Sequence, residues 1–248
     1  GNRLRRDAER LGPLALDAQE GTRGLFLERG VDAHDVGAVA EGLGHALGQG
    51  LAALAGAQQF AARYGFLDKP ALLRVRVLDP ALGLLPGAPC PDLALDADSF
   101  ARLQLELARV FITENETNYL AFPRVPGSIV IFGAGYGWDA LARAEWLQLC
   151  PIHYWGDIDT NGFAILAQLR SRFARVESLL MDRATLHAHE ALWGREDSPR
   201  PADVSRLSAD ERSLYEDLRG HRIRPALRLE QEHIGFGWLQ DRLRNICG

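Results

Sequence analysis

Three short apolar runs, each followed by a turn and a helix-like segment, constrain the fold of this 248-residue chain more than any other feature. The runs cover residues 110–113, 128–132 and 152–156, and they are rich in the β-branched and aromatic residues that favour strands. Strands that alternate with helical segments are typical of a parallel sheet with right-handed crossovers. We therefore predict an α/β fold in which the carboxyl ends of these strands meet at one edge.

Acidic residues stand directly after two of these runs. Glu114 follows the first run, and Asp157 and Asp159 follow the third. Side chains two residues apart on an extended chain point the same way, so Asp157 and Asp159 would repel each other. A hard divalent cation such as Mg²⁺ or Mn²⁺ removes that repulsion by binding carboxylate oxygens. The pattern predicts a metal site at this edge of the sheet; the alternative is a helix N-cap with a solvated turn.

A glycine-rich turn follows the middle run and leaves a second class of enzyme open. Residues 133–137 read Gly-Ala-Gly-Tyr-Gly, and Asp157 stands a short distance further along the chain. Dinucleotide-binding enzymes have a strand, a glycine turn, a helix and an acidic residue in this order. The spacing here is Gly-x-Gly-x-Gly instead of Gly-x-Gly-x-x-Gly. This alternative also leaves Glu114 and Asp159 without a role.

The order strand, Glu, helix, strand, glycine turn, helix, strand, Asp-x-Asp, helix resembles the Toprim domain of topoisomerases, primases and nucleases. Residue by residue, the sequence resembles the C-terminal region of the JetD family, the nuclease subunits of Wadjet anti-plasmid systems. The resemblance covers roughly residues 72–248 and is carried by residues 113–123, 133–137, 154–166, 180–186 and 228–235. It implies a Toprim-like parallel-sheet domain with flanking helices.

The resemblance also implies an activity. The family members are metal-dependent endonucleases that hydrolyse phosphodiesters of circular double-stranded plasmid DNA. Glu114, Asp157 and Asp159 match the catalytic, metal-binding carboxylates, and Glu230 is a candidate for a further ligand to Mg²⁺ or Mn²⁺. Tyr64 does not match the nucleophilic tyrosine motif of the related topoisomerase VI proteins, so water is the expected nucleophile. A non-catalytic Toprim domain that only docks partners is the alternative within the same fold.

The first part of the chain has a different composition, rich in Ala, Leu and Gly, and a linker rich in Pro and Gly covers residues 85–91. We expect a smaller, mainly helical domain at residues 1–90, with a winged helix as one form of it. The Toprim-like catalytic domain is then expected at residues 91–248. Because the chain begins at Gly1 and Met181 is its only methionine, we also expect further sequence upstream.

Charge bears on the partners that the resemblance implies, which are double-stranded DNA and the subunits of an SMC-like motor complex; a homodimer is left open as a further partner. The net charge of −5 falls within residues 91–248, since acids and bases are equal in number before them. A DNA-binding domain usually has a basic face. DNA affinity is therefore expected from partner subunits, from the metal or from arginine clusters such as Arg219, Arg222, Arg224 and Arg228; the alternative for these arginines is a solvated surface.

Composition also excludes several classes of protein. No apolar run approaches the roughly 20 residues that a membrane-spanning helix needs, and no signal-peptide pattern opens the chain. The three cysteines show no spacing typical of a zinc site. We therefore expect a cytoplasmic protein without a membrane partner or a structural zinc ion.

Overall fold

The computed structural model describes residues 72–133 and 138–247. These residues belong to the second of two units, between which the chain divides at Asp68 and Lys69. The strands of this part of the chain are β1 (Leu72–Val77), β2 (Asp92–Asp96), β3 (Arg109–Thr113), β4 (Ser128–Phe132), β5 (Ile152–Trp155), β6 (Val176–Ser178), β7 (Gly194–Arg195) and β8 (Leu227–Arg228). Its helices are α1 (Ala97–Ala101), α2 (Glu116–Ala121), α3 (Trp138–Ala142), α4 (Glu145–Leu149), α5 (Thr160–Arg172), α6 (Arg183–Ala188), α7 (Ala209–Arg219) and α8 (Phe236–Cys247).

Six strands form one mostly parallel sheet, in the order β2, β1, β4, β3, β5, β6. Strands β3 to β6 run parallel to one another, and β1 pairs antiparallel with both β2 and β4. Strands β7 and β8 form a separate antiparallel pair. This sheet with its helices confirms the predicted α/β class. The Toprim assignment stays a prediction, and the helical domain predicted at residues 1–90 lies almost entirely outside the described residues.

The sheet begins before the domain boundary that the linker predicts. The predicted boundary follows residue 90, whereas β1 lies at Leu72–Val77 and pairs with β4 through Arg74 to Val77. The linker region itself connects β1 to β2, which are hydrogen-bonded neighbours. A proline- and glycine-rich segment can therefore mark a connection between adjacent antiparallel strands as well as a boundary between domains.

The core lies on both faces of the central strands. All four residues of β5 are buried, and Val110, Phe111 and Ile112 of β3 are completely inaccessible to solvent. Because successive strand residues point to opposite faces, helices must cover both sides of the sheet, and this explains why the runs are continuously apolar. Within the described residues, no helix combines the length and the apolar character that crossing a membrane requires.

Two helices begin directly after the strands that precede the acidic residues. The Asn115 side chain caps α2 by accepting a hydrogen bond from the Asn118 N–H at 3.1 Å. The Asp159 side chain caps α5 in the same way, by accepting from the Gly162 N–H at 2.7 Å. The chain thus turns from strand to helix at the same edge of the sheet after both β3 and β5, and these turns carry the predicted site residues.

A buried ion pair joins α5 to α7. Arg170 donates to both carboxylate oxygens of Glu211, at 2.5 and 3.0 Å, and Ser178 at the end of β6 donates to the same carboxylate at 2.7 Å. Glu211 also accepts from the Ser208 N–H in a capping box that starts α7. Burial alone would raise the pKa of Glu211, but these hydrogen bonds outweigh burial and lower the pKa to about 2.

Replacement of Glu211 tests this ion pair. At pH 7, Glu211→Ala should lower the free energy of unfolding by about 3 kcal/mol, because Arg170 keeps its charge and loses its partner. The folded-state pKa lies below the ordinary value of 4.5, so the stabilisation is present above about pH 4.5 and is lost as the pH falls toward 2. Urea unfolding at pH 7 and pH 3.5 should therefore show a smaller difference between variant and unchanged protein at the lower pH.

Asp210→Ala is the matched control, since Asp210 is exposed in the same first turn of α7. It should cost less than about 1 kcal/mol, the contribution of an acidic side chain to a helix N-terminus. Equal losses for the two variants would contradict the role given to Glu211.

Candidate metal centre

The structure brings the two acidic strand ends to one edge of the sheet. Strands β3 and β5 are parallel neighbours, and Thr113 pairs with Trp155 at their carboxyl ends. Glu114 is the next residue after Thr113, and Asp157 follows Trp155 by two residues. The two carboxylates interact electrostatically. This edge is where ligands bind in open α/β sheets.

Glu114 is the most perturbed carboxyl group at this edge. Burial, and after it the negative charge of Asp157, raises the pKa of Glu114 to about 7. The hydroxyl of Tyr154 lies close enough to oppose this rise, although it makes no hydrogen bond of good geometry and is completely buried. Glu114 therefore titrates near neutral pH, which suits a group that exchanges a proton with water.

Asp157 is held through both of its oxygens. Oδ1 accepts a hydrogen bond from the Gln231 N–H at 2.9 Å, and Oδ2 accepts from Nη2 of Arg228 at 2.5 Å. Its side chain is 20% exposed. The carboxylate is thus fixed in place while part of it reaches solvent, as a group that binds an incoming ligand requires.

Asp159 has two partners as well. Oδ1 caps α5, as predicted by the simpler alternative for this residue, and Oδ2 lies 3.4 Å from Nε of Arg228. Burial raises the pKa of Asp159 to about 6; the Gly162 N–H opposes this rise, and the charges of Glu196 and Asp157 add to it. Capping uses only Oδ1, so the N-cap by itself does not exclude the predicted metal-ligand role of Asp159.

Glu230 reaches the same group of charges from a distant part of the sequence. Its Oε1 lies 3.5 Å from Nε of Arg228, and its side chain is 33% exposed. As the side chains are arranged, no three His, Cys, Asp or Glu residues in the described part of the chain have the spacing of a metal shell. Arg228 instead contacts Asp157, Asp159 and Glu230. The metal-binding roles of these residues stay predictions.

Arg228 is the main residue whose place the sequence did not predict. The sequence groups it with Arg219, Arg222 and Arg224 as a source of DNA affinity or as a solvated surface, but of these four only Arg228 contacts the carboxylates named above. Arg222 pairs with Asp217 instead, and Arg224 donates to the Trp193 carbonyl. One sequence signal could have suggested its place at the site. Arg228 and Glu230 are two residues apart, as Asp157 and Asp159 are, so the two side chains of each pair lie on one side of an extended segment.

A short backbone bridge aligns these two segments. The N–H of Ile158 donates to the Leu229 carbonyl at 2.9 Å, and the N–H of Leu229 donates back to the Ile158 carbonyl at 3.1 Å. Both side chains are buried. The bridge therefore sets Arg228 and Glu230 beside Asp157 and Asp159.

Gln231 connects the two strand ends. Its side-chain carbonyl accepts hydrogen bonds from the Thr113 hydroxyl and from the Asn115 N–H, and its amide nitrogen donates to the Trp155 carbonyl at 3.0 Å. The side chain is 1% exposed. Since Gln231 also donates its backbone N–H to Asp157, one residue fixes the ends of β3 and β5 relative to each other.

Glu196 is a second residue that the sequence did not indicate. It is buried, and its carboxylate accepts from the Thr160 hydroxyl at 2.6 Å and from the N–H groups of Thr160 and Asn161 at 3.2 Å. The amino end of α5 thus receives two carboxylates, from Glu196 and Asp159. The positive end of the helix dipole stabilises both, but their closeness adds to the negative charge at this edge.

Two glycines are required by close approaches at the site. A Cβ atom at Gly162 would lie 2.2 Å from the carbonyl oxygen of Asp157, and one at Gly156 would lie 2.2 Å from the Tyr154 hydroxyl. Neither distance is tolerated between nonbonded atoms. The backbone of the Asp-x-Asp turn therefore packs against the first turn of α5 only because residue 162 has no side chain.

Gly162→Ala should consequently displace the Asp157 backbone. The substitution favours the helix by up to about 1 kcal/mol in propensity, yet the clash should outweigh that gain and lower both the midpoint of thermal unfolding and the affinity for Mn²⁺. Gly235→Ala is the control, because a Cβ at Gly235 meets no atom within 4 Å. Thermal scans and Mn²⁺ titrations that cannot tell the two variants apart would contradict the packing argument.

The raised pKa of Glu114 predicts how stability depends on pH. A folded-state pKa of about 7, above the ordinary 4.5, means that protonation stabilises the folded protein. Without divalent cations, the free energy of unfolding should fall as the pH rises from about 4.5 to 7, by up to roughly 3 kcal/mol. Glu114→Gln is neutral at every pH and should remove this part of the slope. Urea unfolding in EDTA at pH 5 and pH 8 provides the measurement, and a slope as steep in the variant as in the unchanged protein would refute the assignment.

Comparison with known proteins agrees with the resemblance seen in the sequence. The family described as Wadjet protein JetD, C-terminal, matches residues 65–243, which is more than half of the chain. The matched region contains both acidic strand ends and the segment with Arg228 and Gln231. No curated protein matches the chain. The chain therefore belongs to the C-terminal family of the Wadjet protein JetD.

Proposed function

We propose that this chain is a metal-dependent endonuclease that hydrolyses phosphodiester bonds of circular double-stranded plasmid DNA, as the nuclease subunit of a Wadjet complex. The observation that carries the proposal is the gathering of Glu114, Asp157 and Asp159 at one edge of a parallel sheet, with Glu230 beside them. Family membership supports the Wadjet setting. The dinucleotide-binding alternative has no comparable support, because it accounts for neither Glu114 nor Asp159.

The donor set fits a hard divalent cation. All of the candidate ligands are carboxylates, the class of ligand that Mg²⁺ and Mn²⁺ prefer. Burial and mutual repulsion raise the pKa of both Glu114 and Asp159, so further positive charge at this edge would be favourable. Asp157 and Asp159 would hold the ion, with Glu114 as a second ligand or as the general base or acid, and with Glu230 as a candidate ligand for a second ion. When bound, the ion would polarise the scissile phosphate and stabilise the charge on the leaving oxygen.

Glu114 has the properties of the group that moves the proton. Without a bound cation its pKa is raised to about 7, so a Glu114 that is not itself a ligand could accept a proton from water and return it to a leaving oxygen. The backbone N–H of Gln231 and the N–H of Gly162 keep Asp157 and Asp159 oriented. Water as the nucleophile makes the cleavage hydrolytic and irreversible. Tyr64 lies outside the described residues and has no role in the proposed reaction.

The charge balance supports dependence on partners. The region with the site carries the net charge of −5, so duplex DNA meets an unfavourable average field. We propose that subunits of an SMC-like motor complex deliver deformed DNA to the site. We also propose that the chain forms a homodimer and acts in the cytoplasm. Bent DNA presented by a partner would require less affinity from the nuclease itself.

A non-catalytic docking domain is the second candidate, and one observation favours it. Arg228 already lies within the group of carboxylates and contacts three of them. A cluster neutralised in this way can serve a structural purpose without binding any metal. The two candidates differ in what happens when the carboxylates are made neutral.

Asp157→Asn and Asp159→Asn test the endonuclease directly. Each keeps the shape of the side chain and removes a charged ligand, so cleavage of supercoiled plasmid by the protein with its complex and Mg²⁺ or Mn²⁺ should fall by at least about 10³-fold, while the folded structure is retained. Asp197→Asn is the control, since the side chain of Asp197 is 89% exposed and pairs only with Arg195 among the described residues. Undiminished cutting by either site variant would favour the docking domain.

A further inference from the structure

The inference concerns Arg228, whose charge lies among the proposed ligands. Nη2 of Arg228 binds Oδ2 of Asp157 at 2.5 Å, and Nε lies 3.4 Å from Oδ2 of Asp159 and 3.5 Å from Oε1 of Glu230. The other oxygens of Asp157 and Asp159 accept backbone N–H groups of Gln231 and Gly162. A cation that binds Oδ2 of both aspartates would therefore compete with the guanidinium group for these oxygens.

The side chain of Arg228 is neither fully hydrogen-bonded nor fully buried. Its Nε atom is buried and makes no hydrogen bond within the described residues, although two carboxylates lie near it. Its side chain is also 34% exposed, so part of the side chain reaches solvent. Arg228 supplies one positive charge to the three carboxylates of Asp157, Asp159 and Glu230. A divalent cation would supply two and would neutralise them more fully.

The backbone at Arg228 is fixed more firmly than its side chain. The residue lies in β8, paired with β7, and the next residue along the chain, Leu229, forms the two-way bridge to Ile158. A displaced guanidinium therefore stays tethered beside Asp157 and Asp159. The planar group presents several N–H donors in a fork that matches the oxygens of a phosphate.

We propose that Arg228 exchanges partners during the reaction. It holds Asp157 and Asp159 until a divalent cation displaces it, and it then binds a phosphate of the DNA that is brought to the same edge. This inference rests on the proposed nuclease function and adds a residue that binds substrate only after the cation. Arg228 and the cation compete for the aspartates, whereas Arg228 and the phosphate become partners because of the cation.

The competition is measured without DNA, by calorimetric titration of the full chain with Mn²⁺ at neutral pH. Arg228→Gln should bind Mn²⁺ on the order of ten-fold more tightly than the unchanged protein, because the competing charge is gone. Arg228→Lys keeps the charge and should stay within about three-fold of the unchanged protein. Arg222→Gln, which removes an arginine paired with Asp217, should leave the Mn²⁺ affinity unchanged. Circular dichroism confirms that each variant is folded.

The exchange is measured with a short DNA duplex, by fluorescence anisotropy in EDTA and in Ca²⁺, with gel analysis to detect any cutting. In EDTA the unchanged protein and Arg228→Gln should bind the duplex equally, since the carboxylates hold the guanidinium. In Ca²⁺ the variant should bind several-fold more weakly. Arg228→Lys, which lacks the fork, should also lose affinity in Ca²⁺.

The outcomes separate this inference from the proposed function. Mn²⁺ binding that is lost in Asp157→Asn but is equal or weaker in Arg228→Gln would overturn the exchange and leave the nuclease standing. An equal loss of DNA affinity in EDTA and in Ca²⁺ would also overturn it, by showing that Arg228 binds phosphate at all times. Absence of Mn²⁺ binding in the unchanged protein and in Arg228→Gln would overturn both the exchange and the proposed metal-dependent function.

Discussion

Repulsion among carboxylates at one end of a parallel sheet is the constraint on which the rest of the site depends. Negative groups there lose hydration on burial, and each raises the cost of ionising the next. The protein offsets part of this cost with three positive partners: the Gln231 N–H on Asp157, the Gly162 N–H on Asp159, and Arg228 on both. The remaining excess of negative charge is what a divalent cation would neutralise.

The sheet and its acidic edge could be predicted because both depend on local sequence. An apolar run of four or five residues followed by a helical segment leaves few arrangements other than parallel strands with helical crossovers. Once β3 and β5 are parallel, Glu114 and Asp157 must share an edge, whatever else the chain does. The observed sheet and helices confirm the predicted α/β class, and these local constraints explain why it could be predicted.

The partners of the carboxylates could not be predicted, because they come from far along the chain. Arg228 and Gln231 follow Asp157 by 71 and 74 residues, and no local pattern indicates that an extended segment will return to bridge Ile158. Arg228 and its neighbouring arginines look alike in the sequence, and only the fold separates one at the site from the others at the surface. The start of the sheet at β1, before the boundary predicted at residue 90, could not be predicted for a similar reason. The pairing of β1 with β4 is also a long-range contact.

The bridge between Ile158 and Leu229 has a consequence for synthesis of the protein. Asp157 and Asp159 leave the ribosome long before the segment that holds Arg228, Leu229 and Gln231. Until that segment docks, the acidic turn lacks its guanidinium and two of its backbone hydrogen bonds. A nascent chain therefore carries Asp157 and Asp159 before the groups that orient them, and the arrangement of the acidic edge is complete only when residues 228–231 dock.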